Sequence, residues 1–305
     1  MFTLAHLSDP HLSPMPRPRF FELMGKRAVG YFNWRARRAV HHQTGYLNTL
    51  VADLLARGFD HLAVTGDLVN LGLPGEYEAA RTFLESLGPG DRVSMVPGNH
   101  DAYVRGTAML HLDMWKEYIA GDENASKTAL GGAPFPYVRR RDQIAVIGLS
   151  TAIPTAPFLA TGKLGKAQLR ELEHLLEKLK AEHRFRVILI HHPPAGVQSP
   201  HDRLTDAGAF RAVIAKHGAE LVLHGHIHRA SINRIDGPDG AVPVIAVPSA
   251  SNPSANPLRG GAYNLYRIDG RQGEWRFTVK PYGIAPDGSG VQQRASIELF
   301  SSIPA

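Results

Sequence analysis

The feature that most constrains this chain is a repeated grammar, in which short apolar runs stop abruptly at polar side chains. Residues 92–96 alternate and are β-branched enough to form a strand. Pro97 and Gly98 break it, and Asn99, His100 and Asp101 follow at once. Residues 2–8 end likewise in Asp9-Pro10-His11, and 61–65 end in Gly66-Asp67-Leu68-Val69-Asn70. The pattern recurs where 186–190 runs into His191-His192-Pro193-Pro194, and where 220–223 runs into His224-Gly225-His226-Ile227-His228. Asp9 and His11, two residues apart, are expected on the same side of an extended backbone. The continuous apolar run at 186–190 marks a strand covered on both faces.

Between these strands the period changes. Leu47, Leu50, Val51, Leu54 and Leu55 define a core-facing helix that Gly58 ends. Helices are also expected at about 74–87, at 103–120, from Lys166 through Leu169, Leu172, Leu175, Leu176 and Leu179, and at 207–217. A loop is expected at 122–134, then a hairpin with Arg139, Arg140 and Arg141 at a solvated tip. Residues 232–279 read as short antiparallel strands, among them 242–247, 262–268 and 275–279. The alternation predicts an α/β sheet with polar groups at the carboxyl edge, where open α/β sheets bind ligands. No repeat, low-complexity tract or linker interrupts it, so residues 1–305 are expected to form one domain.

Charge is uneven along the chain. The net charge is +6, and residues 17–41 carry seven Arg and Lys against Glu22 alone, which accounts for the whole excess. Such local basicity suits an anionic partner at one surface and argues against specific nucleic-acid binding. In the same stretch Phe21, Met24, Ala28, Tyr31 and Phe32 recur at helical spacing, interrupted by Gly25 and Gly30. Residues at about 14–42 therefore read as a basic amphipathic insertion. The simpler expectation is a helical flap packed on the domain with its arginines solvated. The sharper one is that 20–38 touches an anionic lipid or membrane surface, or helps bind an anionic substrate. The first residues lack a basic stretch before Asp9, and no apolar run is long enough to span a bilayer. A cytoplasmic protein, peripheral to a membrane if the sharper reading holds, is expected, with a homo-oligomer left open.

The chain has no cysteine, which excludes disulfides and thiolate metal sites. A metal here must be held by oxygen and nitrogen. Carboxylates, one amide and several imidazoles at five strand ends suit Mn, Fe, Zn or Co better than Mg or Ca alone. Seven such groups exceed the needs of one ion but suffice for two if one carboxylate bridges. Paired ions can clamp the attacking and leaving oxygens of a displacement at phosphorus.

Together, Asp9-x-His11, Gly66-Asp67-x-x-Asn70, Gly98-Asn99-His100-Asp101, His191-His192-Pro193-Pro194 and Gly225-His226-x-His228 resemble the blocks of the calcineurin-like metallophosphoesterases, in order over residues 9–228. The stretch around Asp67 and Asn70, followed by Pro74 and Glu76-Tyr77, is similar to the class III cyclic-nucleotide and glycerophosphodiester phosphodiesterases. The resemblance implies a four-layer α/β/β/α sandwich with two mixed β-sheets, and a binuclear centre of two divalent or trivalent transition-metal ions. Asp9, His11 and His228 would hold one ion, and Asn99, His191 and His226 the other. Asp67 would bridge, together with a hydroxide that attacks phosphorus. His100 would serve the substrate as a catalytic group, oriented by Asp101. His192 and His224 would support or pack. The implied activity is hydrolysis of a small phosphodiester. Alternatives are a phosphomonoesterase, a nucleotide-lipid pyrophosphatase similar to UDP-diacylglucosamine hydrolase, or a scaffold without catalysis.

Overall fold

A computed structural model describes residues 1–34, 44–104, 113–123, 135–196 and 199–300. Thirteen strands among them build two mixed sheets. In the first, β1 (Phe2–Leu7), β2 (His61–Val64) and β3 (Val93–Met95) run parallel. β10 (Ala262–Asp269) pairs antiparallel with β1, and β11 (Arg276–Ile284), β12 (Val291–Gln293) and β13 (Ile297–Phe300) extend that side. In the second, β5 (Ile144–Gly148), β6 (Phe185–Leu189), β7 (Leu221–His224) and β9 (Val242–Ala246) are parallel. β4 (Tyr137–Arg141) and β8 (Ser231–Ile235) are its antiparallel edges.

Period-two alternation decides which residues face which layer. Val187, Leu189, Leu221 and Leu223 point into the core shared with Leu4 and Val64 of the first sheet. Their neighbours Ile188, Ile190 and Val222 face the other way. There they meet Leu169, Leu172, Leu176 and Leu179 of α4 (Lys166–Ala181) and Phe210 and Ile214 of α5 (Ala207–His217). On the far side, α2 (Thr44–Arg57) and α3 (Pro74–Leu87) bury Leu50, Leu54, Tyr77 and Leu84 against the first sheet's core. The result is the expected four-layer sandwich. Gly58, at φ 73°, ends α2 in the left-handed conformation that glycine adopts cheaply. Pro74 opens α3, and Glu76 turns back to accept the Leu73 N–H at 2.8 Å.

Several local expectations change. β9 pairs parallel with β7 and antiparallel only with β8, because the chain crosses over before it returns. The Arg139–Arg141 cluster is no solvated tip. Arg139 is buried, and its guanidinium donates to the carbonyls of Gly90, Val93, Glu117 and Ala120. Arg140 pairs with Glu182 and Arg141 with Asp122. Of the 103–120 helix, the described residues are helical at 113–114 and at Lys116–Ile119, with 105–112 and most of the 122–134 loop outside the described residues.

The insertion is interrupted at Gly25, as expected, but not at Gly30. A 3-10 turn at Phe20–Leu23 stops at Gly25, which has φ 68°, and α1 (Lys26–Asn33) starts afresh. The packed-flap expectation holds in part: Arg17 and Arg19 are exposed, but Arg27 grips the body through the Leu71 and Gly72 carbonyls, and Phe20, Phe21, Met24 and Phe32 face solvent. Arg35, Arg37 and Arg38 lie outside the described residues.

Candidate metal centre

Parallel pairing puts the carboxyl ends of β1, β2 and β3 on one edge of the first sheet, and those of β6 and β7 on one edge of the second. The residues that follow these five strands meet. Asp9, His11, Asp67 and His228 form one group whose donor atoms lie within 4.8 Å of one another, and Asp67, His191 and His226 form a second. Asp67 belongs to both. His11 Nε2 lies 3.1 Å from His228 Nε2, His228 Nε2 lies 3.2 Å from an Asp9 oxygen, and His191 Nε2 lies 3.3 Å from Asp67 Oδ2. Asn99 Oδ1 joins the second group, 3.3 Å from His191 Nε2. All seven expected ligands are therefore brought together.

The supporting bonds aim the lone pairs inward. His191 Nδ1 lies 2.6 Å from the Thr65 carbonyl, which can only accept, so the proton sits on Nδ1 and Nε2 faces Asp67. His226 Nε2 is engaged by the Asp202 carbonyl at 2.7 Å, which leaves Nδ1 for a cation. Thr65 donates to Ser8 Oγ at 2.7 Å and Ser8 to Asp9 Oδ2 at 2.6 Å, so a relay of hydroxyls holds that carboxylate. Burial opposes charge on both acids, yet the surrounding imidazoles hold Asp9 below its ordinary pKa and Asp67 well below it. Burial likewise opposes charge at His191, but Asp67 and Asp9 outweigh it and lift the ring to about 9. Two buried carboxylates thus create a field that draws a positive charge, answered here by the His191 proton and open to cations that would displace it. The donor set fits a pair of cations, with oxygen and nitrogen ligands that suit transition metals.

Close approach requires glycine at two places. A Cβ on Gly98 would fall on Asp67 Oδ1, and one on Gly225 would fall on Ser8 Oγ and Asp9 Oδ2. The backbone of the ligands themselves is unusual. Asp9, His11, Asp67, His226 and His228 all have φ between 40° and 70°, five of the eight non-glycine residues with positive φ among those described. The extended Asp-x-His expected for residues 9–11 is corrected accordingly.

Asp101 does not orient His100. It is fully buried, and its carboxylate accepts four backbone N–H groups: Gly98 (2.9 Å), Asp67 (2.8 Å), Leu68 (2.9 Å) and Val69 (3.2 Å). Asp101 therefore ties the loop after β3 to the loop after β2. The His100 ring is set instead by the Asn70 carbonyl, 2.6 Å from Nδ1. His100 stands edge-on to His11 at 5.0 Å and stacks on Tyr103 at 5.7 Å. His192 is held by Thr151 Oγ1 at 2.7 Å and the Ala160 carbonyl at 2.9 Å, behind the donor groups. His224 is buried and packed.

A cavity of about 300 Å³ opens beside His100 and Asn99, walled by α1 and the 157–160 loop. Lys26 lines it, bonded to Thr155 Oγ1 at 2.9 Å and lying 4.4 Å over the Tyr103 ring. Sequence reasoning missed Lys26 and Tyr103 as individual site residues, as well as Ser8 and Thr65. A polar residue next to a ligand was the available signal for Ser8 and Thr65. Lys26 had only its place in the basic stretch.

A family model described as calcineurin-like phosphoesterase matches residues 2–230. Among solved structures, the chain is similar to a dimetal phosphatase from Danio rerio, with 12% identity, a TM-score of 0.54 and 99% of each chain covered. It is also similar to purple acid phosphatase PPD1 from yellow lupin (Lupinus luteus) seeds, with 10% identity and a TM-score of 0.58. That match covers all of this chain and 56% of the lupin chain, so this chain spans little more than half of the latter's length. At such identities the likeness concerns the fold. No curated protein matches the chain.

Proposed function

The chain belongs to the calcineurin-like phosphoesterases, hydrolases of phosphoester bonds, and from that footing we propose that its substrate is a phosphodiester. The observation that carries the two-ion reading is the presence of Asp67 in both donor groups. Asp9, His11 and His228 would hold one ion with Asp67, and Asn99, His191 and His226 the other. Two transition-metal ions there would supply Lewis acidity toward the phosphoryl oxygens and acidify a water.

The chain's own residues supply the rest. His100 borders both the donor groups and the cavity, so it is placed to stabilise phosphoryl oxygen or protonate a leaving oxygen. The Asn70 carbonyl can only accept, so it holds a proton on Nδ1 and fixes the ring's orientation. Asp101 acts as a positioning residue, through the loops that carry Asp67 and Asn99. The cavity favours a diester over a monoester. It has room for a second ester substituent, and Lys26 is the one cationic side chain lining it among the described residues. A monoanionic diester matches that single charge better than a dianionic monoester.

The test is a comparison of bis(p-nitrophenyl) phosphate with p-nitrophenyl phosphate, using protein reconstituted with Mn²⁺. The diester should turn over faster. Faster monoester hydrolysis would replace this reading with a phosphatase, and no hydrolysis of either by metal-loaded protein would defeat both.

A further inference from the structure

The segment over the cavity has two unlike faces. One face of α1 carries Lys26 and Gly30 into the cavity wall, where Gly30 lies so close to Tyr103 and Leu71 that a Cβ would strike both. The other face, with the preceding turn, presents large apolar side chains to solvent. Phe20 is 94% exposed, Met24 74% and Phe32 73%, with Phe21 and Val29 also exposed. Phe158, exposed as well, lines the same cavity as Val29. Single exposed apolar residues are ordinary, but five within thirteen positions are not. They are flanked by exposed Arg17 and Arg19, while Glu22, the only acid from 17 to 34, is occupied by the Arg19 backbone N–H.

We infer that this face docks the protein on an anionic lipid bilayer, and that the phosphoester it hydrolyses is carried by an amphiphile drawn from that bilayer. Aromatic and methionine side chains beside arginines match the boundary between acyl chains and anionic headgroups. A second copy of the same face fits poorly, since it would set arginines against arginines. Arg27 fixes α1 to the body through the carbonyls after β2, so docking places the cavity mouth at the lipid surface. The headgroup phosphate then has a short path past Lys26 to His100. The substrate part rests on the phosphodiesterase reading, whereas the docking part stands on the exposed face alone.

The test is flotation of the full chain with vesicles of phosphatidylcholine alone or mixed with phosphatidylglycerol. The protein should float with the mixed vesicles and largely remain behind with the neutral ones. The triple substitution Phe20→Ser, Phe21→Ser and Met24→Ser should weaken association on the order of a hundredfold. Arg17→Glu with Arg19→Glu should weaken it about fivefold per basic residue removed, on anionic vesicles only. None of these five side chains lines the cavity, so hydrolysis of a soluble diester should be unchanged in both variants. Hydrolysis of a diester embedded in the mixed vesicles should fall with binding. Failure of the wild type to float, or equal flotation of the triple variant, overturns the docking surface. A self-associating wild type whose triple variant is monomeric, with no vesicle binding by either, assigns the face to a second copy and also overturns it. Flotation without hydrolysis of any diester leaves the surface supported and rejects the substrate.

Discussion

Asp101→Asn separates two roles that the sequence alone runs together. If Asp101 served only to orient His100, the amide would cost turnover and leave the fold untouched. The structure assigns it four backbone N–H groups, two on each carboxylate oxygen. An amide keeps one oxygen and turns an NH₂ toward the other two donors. Two bonds to a charged acceptor are lost, each worth about 1.5–3 kcal/mol, so the expected loss of stability is about 3–6 kcal/mol. That is a large part of the roughly 5–15 kcal/mol a domain possesses. Urea unfolding with matched slopes measures it. Because the same bonds seat Asp67 and Gly98, elemental analysis should also show less than two bound metal equivalents. A loss below about 1 kcal/mol with full metal content and a large drop in kcat would refute the bracing role and restore the orienting one.

Three further outcomes follow from other side chains. His100→Ala should keep its metals but lose about 10²–10⁴ in turnover, read by elemental analysis beside kcat; loss of both metals would make His100 a ligand. Asp67→Ala should fail to hold two equivalents, since it removes the one acid common to both donor groups, and unchanged occupancy would disprove the sharing. Burial, helped by Arg139, Arg141 and Arg92, pushes the His61 imidazole down to about 3. The folded state then keeps it neutral while the unfolded state protonates below about pH 6.5, so its contribution is present above that pH and is lost as pH falls toward 3. Between pH 7 and pH 5 this one residue should cost about 2 kcal/mol, and His61→Gln should flatten the stability–pH slope by that amount. An identical slope in the variant would refute it.

The parts of the fold that were legible are those fixed by local period. Ile188 against Val187 and Leu189, or Leu172 and Leu176 along α4, betray their layers because burial repeats every two residues or every three to four. The candidate ligands were legible because a strand end is a fixed address, and five such addresses carried the same chemistry. What stayed hidden depends on partners remote in sequence. Nothing in Arg139-Arg140-Arg141 says that the first will be buried under four carbonyls, all of them about 20 to 50 positions away. Asp101 stands next to His100 in the chain, but the donors that claim it come mainly from residues 67–69. For α1, periodicity groups the aromatics on one face. It does not say whether protein covers that face, and Arg27 rather than the aromatics became the anchor.

The backbone of the ligands was the least legible feature, and it predicts how the protein answers to metal. Alternation suggested that Asp9 and His11 lie on an extended chain, yet both adopt left-handed φ, as do Asp67, His226 and His228. Asp and His visit that region more readily than most residues, so the types that make good ligands also tolerate the turn. Each such residue still costs about 1–3 kcal/mol, and five together approach the stability of a whole domain. The bonds from Ser249 to the Asp9 carbonyl and from the His226 N–H to the Asp9 carboxylate offset part of this. Cations bound only by the folded state would offset more, by about 2.7 kcal/mol per site at a hundredfold excess over Kd. Protein loaded with Mn²⁺ should therefore melt several degrees above chelated protein, and the gap should shrink in Asp67→Ala. If chelated and loaded wild type melt together while elemental analysis shows two bound equivalents, the strained ligands are held by the protein scaffold alone, and the metals take no part in stabilising the fold.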